Sequence, residues 1–331
     1  MAERPNALVR VLRLPFTRAM AALLLIALLG VVFNGDGAFF KWGTHRDMLR
    51  QASVFGTLAC GMTVVIISGG IDLAVGSVLG LVAVAFSIFS IHWGWPPWAA
   101  IPVSLVVGAA CGVASGGVVA RFGIQPFIAT LAMMVFARGL AKYISGGMKI
   151  SSMVQQPDGS YQYVPEPPVY ALIDSRILHG DLAVVTLVFV VCLLICWVVL
   201  ARLQPGRYVF AIGGNEESAR LSGVPVGLVK LLAYGMSGVF SAVAGICQAA
   251  QEHQGDPEAG ATYELSAIAI VVIGGTNLMG GRGSVLLTLV GTLTIGYLEK
   301  ILSINAVGEA SRLMLTGAII VTAVLFQRGK R

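Results

Sequence analysis

The sequence predicts an all-α integral membrane protein with about ten transmembrane helices, and two properties of its 331 residues support this fold class. Hydrophobic residues make up 56% of the chain and charged residues only 11%, whereas soluble domains average about 25% charged residues. The apolar residues also form long runs such as 182–200, and about 20 apolar residues suffice to cross a bilayer as a helix. So few charges cannot cover soluble domains of this length, which excludes a soluble, disordered or nucleic-acid-binding protein.

Apolar stretches divide the chain into ten candidate spans, which we assign to a single transmembrane domain over residues 1–331. The spans lie at 14–33, 51–67, 73–93, 98–120, 124–144, 181–201, 226–250, 265–280, 284–300 and 312–326. The region 51–93 is the least regular, because Ser68-Gly69-Gly70 and Asp72 interrupt its apolar residues. The helix ends in this region and around 263–285 are therefore left open.

The few charges are distributed unevenly between the loops that these spans create. With a cytoplasmic N-terminus, the inner loops hold thirteen Lys and Arg residues and four acids, whereas the outer loops hold eight cations and twelve acids. An excess of Lys and Arg on the cytoplasmic side is the usual bias of membrane proteins. Both termini are therefore predicted to be cytoplasmic, and the net charge of +6 needs no nucleic-acid partner.

Glycine is unusually frequent, with 41 residues in the chain. In lipid, helices associate through close backbone approach, so small residues line their contacts. Gly108, Gly112 and Gly116 recur every four residues in the fourth span, and Gly76 and Gly80 have the same spacing in the third. This spacing predicts a tightly packed helical bundle and carries no information about a substrate.

Two short segments about 200 residues apart indicate two pseudo-repeated halves with broken helices. Residues 69–78 and 274–285 both read Gly-Gly-x-Asp/Asn-Leu followed by Gly-Ser-Val. Non-helical backbone at membrane depth needs protein or a water-filled cavity around it, and paired broken helices point to a translocation pathway. One interpretation is therefore a pathway lined by polar side chains near the breaks, namely Ser68, Asp72, Ser77, Thr276, Asn277 and Ser284. The other is a tight turn at the cytoplasmic surface, with Asp72 capping the next helix.

The longest predicted inner loop, residues 202–226, is expected to carry a short helix on the membrane surface. Asn215 is a suitable N-cap for this helix. Glu216 and Glu217 then lie in its first turn, where acids suit the helix dipole. Gly223 and Pro225 end the helix. Such a loop is either a solvated connector or a docking element.

The segment Glu217-Ser218-Ala219-x3-Gly223 in this loop resembles the Glu-Ala-Ala-x3-Gly loop of ABC importer permeases, with Ser218 as the departure from the pattern. In that class the short helix docks in a groove on the ATPase subunit. The resemblance therefore implies that Glu217, Ser218, Ala219 and Gly223 couple this chain to an ATPase, and that residues 202–226 form a cytoplasmic coupling loop.

Longer segments extend the resemblance to the ribose/galactose-type ABC permease family over about 51–326. They are SGGIDLAVGS at 68–77, PFIATLAMM at 126–134, GRYVFAIGGNEESARLSGV at 206–224 and YELSAIAIVVIGGTNLMGGRGSV at 263–285. The resemblance implies a permease for a pentose or hexose in the bacterial plasma (inner) membrane, working by alternating access beside a second permease copy or paralogue. It also implies an ABC ATPase subunit that holds ATP-Mg and an extracytoplasmic sugar-binding protein. No cofactor or metal is expected on this chain.

The extracytoplasmic loop 146–180 departs from the family pattern through a Pro-rich, aromatic insertion. Two interpretations of it are open. The loop either contacts the binding protein or covers the pore, or it is a surface loop whose length is tolerated because loop insertions cost little.

Motifs of the common enzymes are absent from the sequence, so the chain is not predicted to be an enzyme. No phosphate-binding loop, His-Glu-x-x-His or Gly-x-Ser-x-Gly occurs. Two rival functions stay open. An ion-coupled secondary transporter needs charges within its spans, and Asp72 and Arg138 are the candidates. An ABC permease for nucleosides or branched-chain amino acids is the other.

Overall fold

The computed structural model describes residues 15–155, 159–308, 310–315, 317, 318 and 321 as a helical bundle with two small β-hairpins. Twelve α-helices are named in these residues: α1 Pro15–Val32, α2 Trp42–Ile67, α3 Val75–Ser87, α4 Pro97–Phe122, α5 Pro126–Ser145, α6 Pro168–Asp174, α7 Val184–Arg202, α8 Gln204–Gly214, α9 Glu216–Leu221, α10 Val226–Glu252, α11 Tyr263–Ile273 and α12 Val285–Ile304. A 3₁₀-helix at Ala38–Phe40 precedes α2, and a π-helical turn at Ile88–His92 continues α3. The strands are β1 Met153–Gln155, β2 Tyr161–Tyr163, β3 Arg176–Ile177 and β4 Leu182–Ala183, and the pairs β1–β2 and β3–β4 are antiparallel.

Seven helices in the described residues are long and apolar enough to cross a membrane, which confirms the predicted all-α membrane fold. They are α2, α3 with its π-helical end, α4, α5, α7, α10 and α12. The shorter apolar helices α1 and α11 match the first and eighth predicted spans. The predicted span 312–326 lies largely outside the described residues.

The structure differs from the candidate spans and loops at three places that matter for the site, two of them in regions where the sequence left the helix ends open. Helix α2 begins at Trp42 rather than near residue 51, because its first three turns are polar and lie beyond the apolar stretch. Helix α11 ends at Ile273, because Gly274-Gly275 ends it well before residue 280. The loop 202–226 holds two helices, α8 and α9, instead of one.

Helix α10 lies at the centre of the bundle, where it packs against α2, α3 and α4. The glycines at four-residue spacing in α4 face it. A Cβ added to Gly108 would lie 2.5 Å from the Gly238 carbonyl oxygen, and one added to Gly112 would lie 2.2 Å from the Tyr234 carbonyl oxygen. The two backbones therefore touch, as the small-residue spacing predicts.

The helix ends collect at two opposite faces of the bundle. One face carries α8 and α9, together with the ends of α2 and α11, and we call it the α8–α9 face. The other carries the two hairpins and the first turns of α2, and we call it the hairpin face. Ion pairs such as Lys230–Glu216 (2.7 Å) lie at the first face, and Arg46–Asp181 (3.2 Å) lies at the second.

Replacing Gly112 by Ala is expected to destabilise the bundle by about 1–3 kcal/mol, because the new methyl group would overlap the backbone of α10. The matched control is Gly117→Ala in the same helix, where the nearest atom to an added Cβ is the flexible Leu231 side chain at 3.8 Å. The thermal midpoint of the purified protein in detergent checks this. Equal midpoints for the two variants would contradict the packing described for α4 and α10.

Candidate functional site

The first break in the helices, residues 68–74, turns back into the bundle after α2 ends at Ile67. The Asp72 side chain is 3% exposed and anchors this break. Its Oδ1 accepts a hydrogen bond from the backbone N–H of Ala74 at 3.0 Å, and its Oδ2 accepts one from the Ser237 hydroxyl at 2.6 Å. Ser237 lies near the middle of α10. Asp72 therefore ties the start of α3 to the central helix, inside the bundle.

Side chains from two other helices satisfy the backbone of this break. The Ile71 carbonyl accepts hydrogen bonds from the Thr130 hydroxyl at 3.3 Å and from the Tyr234 hydroxyl at 3.5 Å. The Ser68 hydroxyl donates to the Val65 carbonyl at 2.7 Å. These contacts replace the intrahelical hydrogen bonds that the chain loses between α2 and α3.

The second break, residues 274–284, is folded by Asn277. The Asn277 backbone N–H donates to the Arg282 carbonyl at 2.9 Å, and its Oδ1 accepts from the backbone N–H of Met279 at 3.1 Å. Its Nδ2 donates to the Gly280 carbonyl at 3.3 Å. Ser284 then stands at the N-cap position of α12. Asn277 and Asp72 thus have related roles, since each holds a turn through side-chain hydrogen bonds to backbone groups.

The two breaks meet each other and the end of α8 through backbone contacts. The Gly281 N–H donates to the Ile67 carbonyl at 2.9 Å. A Cβ added to Gly213 would lie 1.8 Å from the Ile67 carbonyl oxygen and 2.4 Å from the Gly281 nitrogen, and one added to Gly280 would lie 2.9 Å from the Gly69 Cα. These five residues form what we call the glycine crossing. Because a side chain at Gly213, Gly280 or Gly281 would overlap the backbone of a neighbouring segment, the end of α8 and both breaks pack as one unit.

The six polar residues predicted near the breaks differ in exposure within the single chain. Four are buried, namely Ser68, Asp72, Ser77 and Thr276. Asn277 and Ser284 are half-buried. The structure therefore brings the polar residues of both breaks to the same side of the bundle, but it packs most of their side chains against protein.

Helix α9 begins at the predicted N-cap, since the Asn215 side chain accepts a hydrogen bond from the Ser218 backbone N–H at 2.9 Å. Glu217 and Ser218 are exposed, whereas Ala219 is buried against the bundle. Gly223 has a positive φ of 82°, which suits glycine after a helix C-terminus. The predicted short helix and its boundaries are confirmed, and its polar side faces away from the protein.

A stretch between α10 and α11, residues 255–262, passes back into the bundle without forming a helix, and we call it the re-entrant stretch. A Cβ added to Gly255 would lie 2.7 Å from the Ala83 carbonyl oxygen of α3, whereas one added to Gly260 would lie 2.3 Å from the Gly76 carbonyl oxygen. Residues 76 and 83 are about 10 Å apart along a helix. The stretch therefore descends along α3 towards its first turn.

Arg138 of α5 holds this stretch in place. Its Nη1 donates to the Pro257 carbonyl at 2.5 Å and to the Ala259 carbonyl at 2.8 Å. Gly80 of α3 lies beside the guanidinium group, since an added Cβ there would lie 2.8 Å from Nη1. A half-buried arginine in a span thus replaces the hydrogen bonds that these carbonyls would have in a helix.

Glu264 follows in the first turn of α11 and lies deeper than the sequence predicts. A Cβ added to Gly76 would lie 2.8 Å from Glu264 Oε2, and the neighbouring Tyr263 ring packs 4.5 Å from the ring of Phe55 in α2. The sequence interpretation assigns Glu264 to an outer loop, which is wrong. The sequence held a signal for this depth, because Arg138 lies inside a predicted span and glycines lie on both sides of Pro257.

Comparisons with known proteins show which proteins this chain resembles in sequence. A family profile described as "Branched-chain amino acid transport system / permease component" matches residues 46–324. The ribose import permease protein of Haemophilus influenzae is 37% identical over 310 residues, covering 92% of this chain and 90% of that protein. The ribose import permease protein of Bacillus subtilis is 38% identical over 286 residues, covering 86% and 84%. The autoinducer 2 import system permease protein of Photorhabdus laumondii is 34% identical over 270 residues, covering 82% and 78%.

The chain belongs to the ABC importer permease family. It is a multi-pass protein of the bacterial inner membrane and a transport component rather than an enzyme. No solved structure matches this permease.

The described parts of segment 146–180 of the permease, residues 146–155 and 159–180, are folded against the bundle. Tyr170 of α6 is fully buried, stacks on Phe86 of α3 at 5.3 Å, and donates a hydrogen bond to Ser87 at 2.8 Å. Burial raises the pKa of Tyr170 to about 12. This phenol therefore stays neutral, and it fixes α6 to the end of α3 at the hairpin face.

Ion pairs at the hairpin face connect the β3–β4 hairpin, residues 176–183, to the helices. Asp181 accepts hydrogen bonds from the Trp42 indole at 2.9 Å and from Arg46 at 3.2 Å, and these donors hold its pKa below the usual range. Arg176 pairs with Asp47 at 2.6 Å. The segment is thus tied to the first turns of α2.

A cavity of about 1050 Å³ opens at the hairpin face between α3, α5 and the β1–β2 hairpin. Its walls are mainly apolar and aromatic, and they include Phe89, Trp93, Leu140 and Tyr161. None of the six polar residues near the breaks lines it. The cavity is therefore separate from the glycine crossing.

Gly213→Ala is expected to disrupt the glycine crossing, because its methyl group would overlap the Ile67 carbonyl of α2 and the Gly281 backbone. Gly214→Ala is the matched control, because an added Cβ there meets nothing within 4 Å. We expect Gly213→Ala to lose about 1–3 kcal/mol of stability, as overpacked variants usually do. Thermal midpoints in detergent check this, and a Gly213→Ala variant as stable as Gly214→Ala would refute the close contact.

Proposed function

We propose that this permease is the membrane-spanning subunit of an ATP-driven importer for a monosaccharide, a pentose or a hexose. The observation that carries the proposal is similarity over about nine-tenths of the chain to proteins named ribose import permeases. In this proposal the chain forms the translocation pathway by alternating access, beside a second copy or a paralogue. It binds no cofactor itself, and ATP-Mg is held by a separate ABC ATPase subunit.

The α8–α9 face is the cytoplasmic face in this proposal, and both termini are cytoplasmic. The distribution of cations supports this orientation, since Arg121, Arg202, Arg207 and Arg220 belong to helix ends or helices at that face. Lys and Arg are enriched on the cytoplasmic side of membrane proteins. The hairpin face then receives the extracytoplasmic sugar-binding protein.

Helix α9 is the element that docks on the ATPase in this proposal. Glu217 and Ser218 point away from the bundle, Ala219 packs against it, and Gly223 turns the chain into α10. Leu221 supports the docking role, because this large apolar side chain is 81% exposed at the end of a helix. The glycine crossing lies directly before α9, so a displacement of α9 acts on both helix breaks through backbone contact.

The translocation pathway is proposed to run next to the two breaks, with Ser68, Asp72, Ser77, Thr276, Asn277 and Ser284 as its polar groups. Burial of most of these side chains in the single chain requires that the breaks move for them to meet a sugar. Alternating access supplies such a movement, since domains or bundles of transporters rock around a fixed site.

A branched-chain amino acid is the second candidate cargo, because the matching family profile carries that description. Autoinducer 2 import is the printed function of another relative. Reconstitution in liposomes with an ABC ATPase and a sugar-binding protein that associate with the permease separates these cargoes. Ribose, galactose, leucine and autoinducer 2 are each tested for stimulation of ATP hydrolysis and for uptake.

We expect a monosaccharide to stimulate ATP hydrolysis in these liposomes and to accumulate only when ATP is present. An ionophore that collapses proton and sodium gradients should leave uptake unchanged, because the energy comes from ATP. Uptake that persists without ATP and stops with the ionophore would instead identify an ion-coupled transporter. Stimulation by leucine alone would replace the sugar by an amino acid.

Leu221→Glu is expected to weaken the association of the permease with its ATPase at least tenfold. Burying a leucine contributes about 1.5–3 kcal/mol, and about 1.4 kcal/mol corresponds to a factor of ten. Leu172→Glu is the matched control, because Leu172 is 65% exposed on the opposite face. Co-purification and the dissociation constant in detergent check the docking role. Unchanged binding by Leu221→Glu would show that α9 does not dock through this side chain.

A further inference from the structure

We propose that the re-entrant stretch and the first turn of α11 form a contact for the hydroxyl groups of the transported sugar, with Thr262 and Glu264 as the recognising side chains. The proposal rests on the proposed function, because it assigns the sugar of that function to a site in the membrane. This contact lies against the first turn of α3, beside the first break, and it adds a hydroxyl-bearing and a carboxylate side chain to the pathway.

The depth of this contact follows from its neighbours on α3. Gly260 and Glu264 lie against Gly76, and α3 with its π-helical end reaches His92 at the hairpin face. At a rise of about 1.5 Å per residue, Gly76 lies roughly 20 Å below that end of the helix. Polar side chains at this depth are well inside the span of the bundle.

Several residues of this contact are accessible in the single chain. Ala261 and Thr262 are exposed, and Glu264 is half-buried. Ionisable groups within membrane spans face the bundle interior or a water-filled cavity, because lipid does not solvate them. Non-helical backbone obeys the same restriction. These restrictions argue against lipid on the accessible side of the stretch, and in the proposal this side lines the water-filled pathway, where a solute reaches it.

Thr262 is held in an unusual conformation. Its φ of 68° lies in the left-handed region, where a β-branched residue is rarely found. Such residues persist where the surrounding structure fixes them, and they cluster at ligand sites. Arg138 supplies this constraint on one side through the Pro257 and Ala259 carbonyls, and α11 supplies it on the other.

The chemistry of the exposed groups matches a sugar. A carboxylate accepts hydrogen bonds from hydroxyl groups through two oxygens, and a threonine hydroxyl both donates and accepts. Glu258 lies at the outer end of the stretch, where it pairs with Lys142 at 2.5 Å, so that its charge is already used. Glu264 lies further along the path, against Gly76 of α3, so it is the deeper of these two carboxylates.

The test compares Glu264→Gln with the control Asp36→Asn, an exposed carboxylate outside the re-entrant stretch, in liposomes containing the complete transporter. Uptake of D-ribose and D-galactose is measured together with ATP hydrolysis. We expect Glu264→Gln to lower the amount of sugar taken up per ATP at least tenfold, and Asp36→Asn to stay within twofold of the original protein. Thr262→Val keeps the shape of the side chain and the backbone strain. We expect it to lower the amount of sugar taken up per ATP about threefold to tenfold.

A selectivity measurement separates recognition from a general defect. The ratio of uptake for D-ribose and 2-deoxy-D-ribose should move towards one in Glu264→Gln, because the lost carboxylate no longer distinguishes a hydroxyl group. The same binding protein is used throughout, so its own selectivity cancels. Normal uptake and an unchanged ratio in Glu264→Gln, with a working original protein, would refute this inference alone. Failure of the original protein to take up any sugar would refute the proposed function, and with it this site.

Accessibility is tested with Thr262→Cys and a small hydrophilic thiol reagent. The original protein is the control, because its five cysteines are all buried. We expect the new thiol to react, and saturating sugar with the binding protein and ATPase to protect it. A disulfide between residue 262 of two permease copies, without protection by sugar, would assign this stretch to the contact between copies and overturn the proposal.

Discussion

Backbone polar groups inside a bilayer need a partner in the protein, and this constraint governs the permease wherever its chain leaves the helical conformation. Among the residues that the structure describes, three stretches do so within the bundle, and one side chain helps to hold each of them. Asp72 receives the Ala74 N–H in the first, Arg138 donates to two carbonyls in the re-entrant stretch, and Asn277 folds the last. The central position of α10 depends on the same contacts, because Asp72 is fixed to Ser237 in its middle.

Glycine gives these stretches their mutual contacts. At the glycine crossing, α8 touches both breaks through main-chain atoms, and no flexible side chain lies between them. Main-chain contacts of this kind transmit displacement directly, since close-packed protein interiors deform little. The segment that precedes α9 is therefore joined directly to the end of α2 and to both breaks, which lie beside the proposed pathway.

The sequence predicted the elements whose signals are local. Apolar runs located the long helices, Asn215 located the start of α9, and the two Gly-Gly-x-Asp/Asn-Leu segments located the breaks. The re-entrant stretch was missed because its glycines, proline and acids have the composition of a solvated loop. Its depth comes from packing of Gly255 and Gly260 against α3, which no pattern within residues 255–262 contains. Helix α8 was missed for a similar reason, since its polar start reads as loop.

The roles of the charged side chains inside the bundle bear on which energy source drives transport. A transporter driven by ions needs titratable or ion-binding groups that can change partners during the cycle. Asp72 is engaged by a backbone N–H and a serine, and Arg138 is engaged by two carbonyls, so both act in holding the architecture. This structural use of Asp72 and Arg138 agrees with the proposed energy source outside the membrane domain, and Glu264 is left to the proposed sugar contact. Helix α9 is the position where such an input reaches the breaks with the fewest intervening residues, because the glycine crossing directly precedes it.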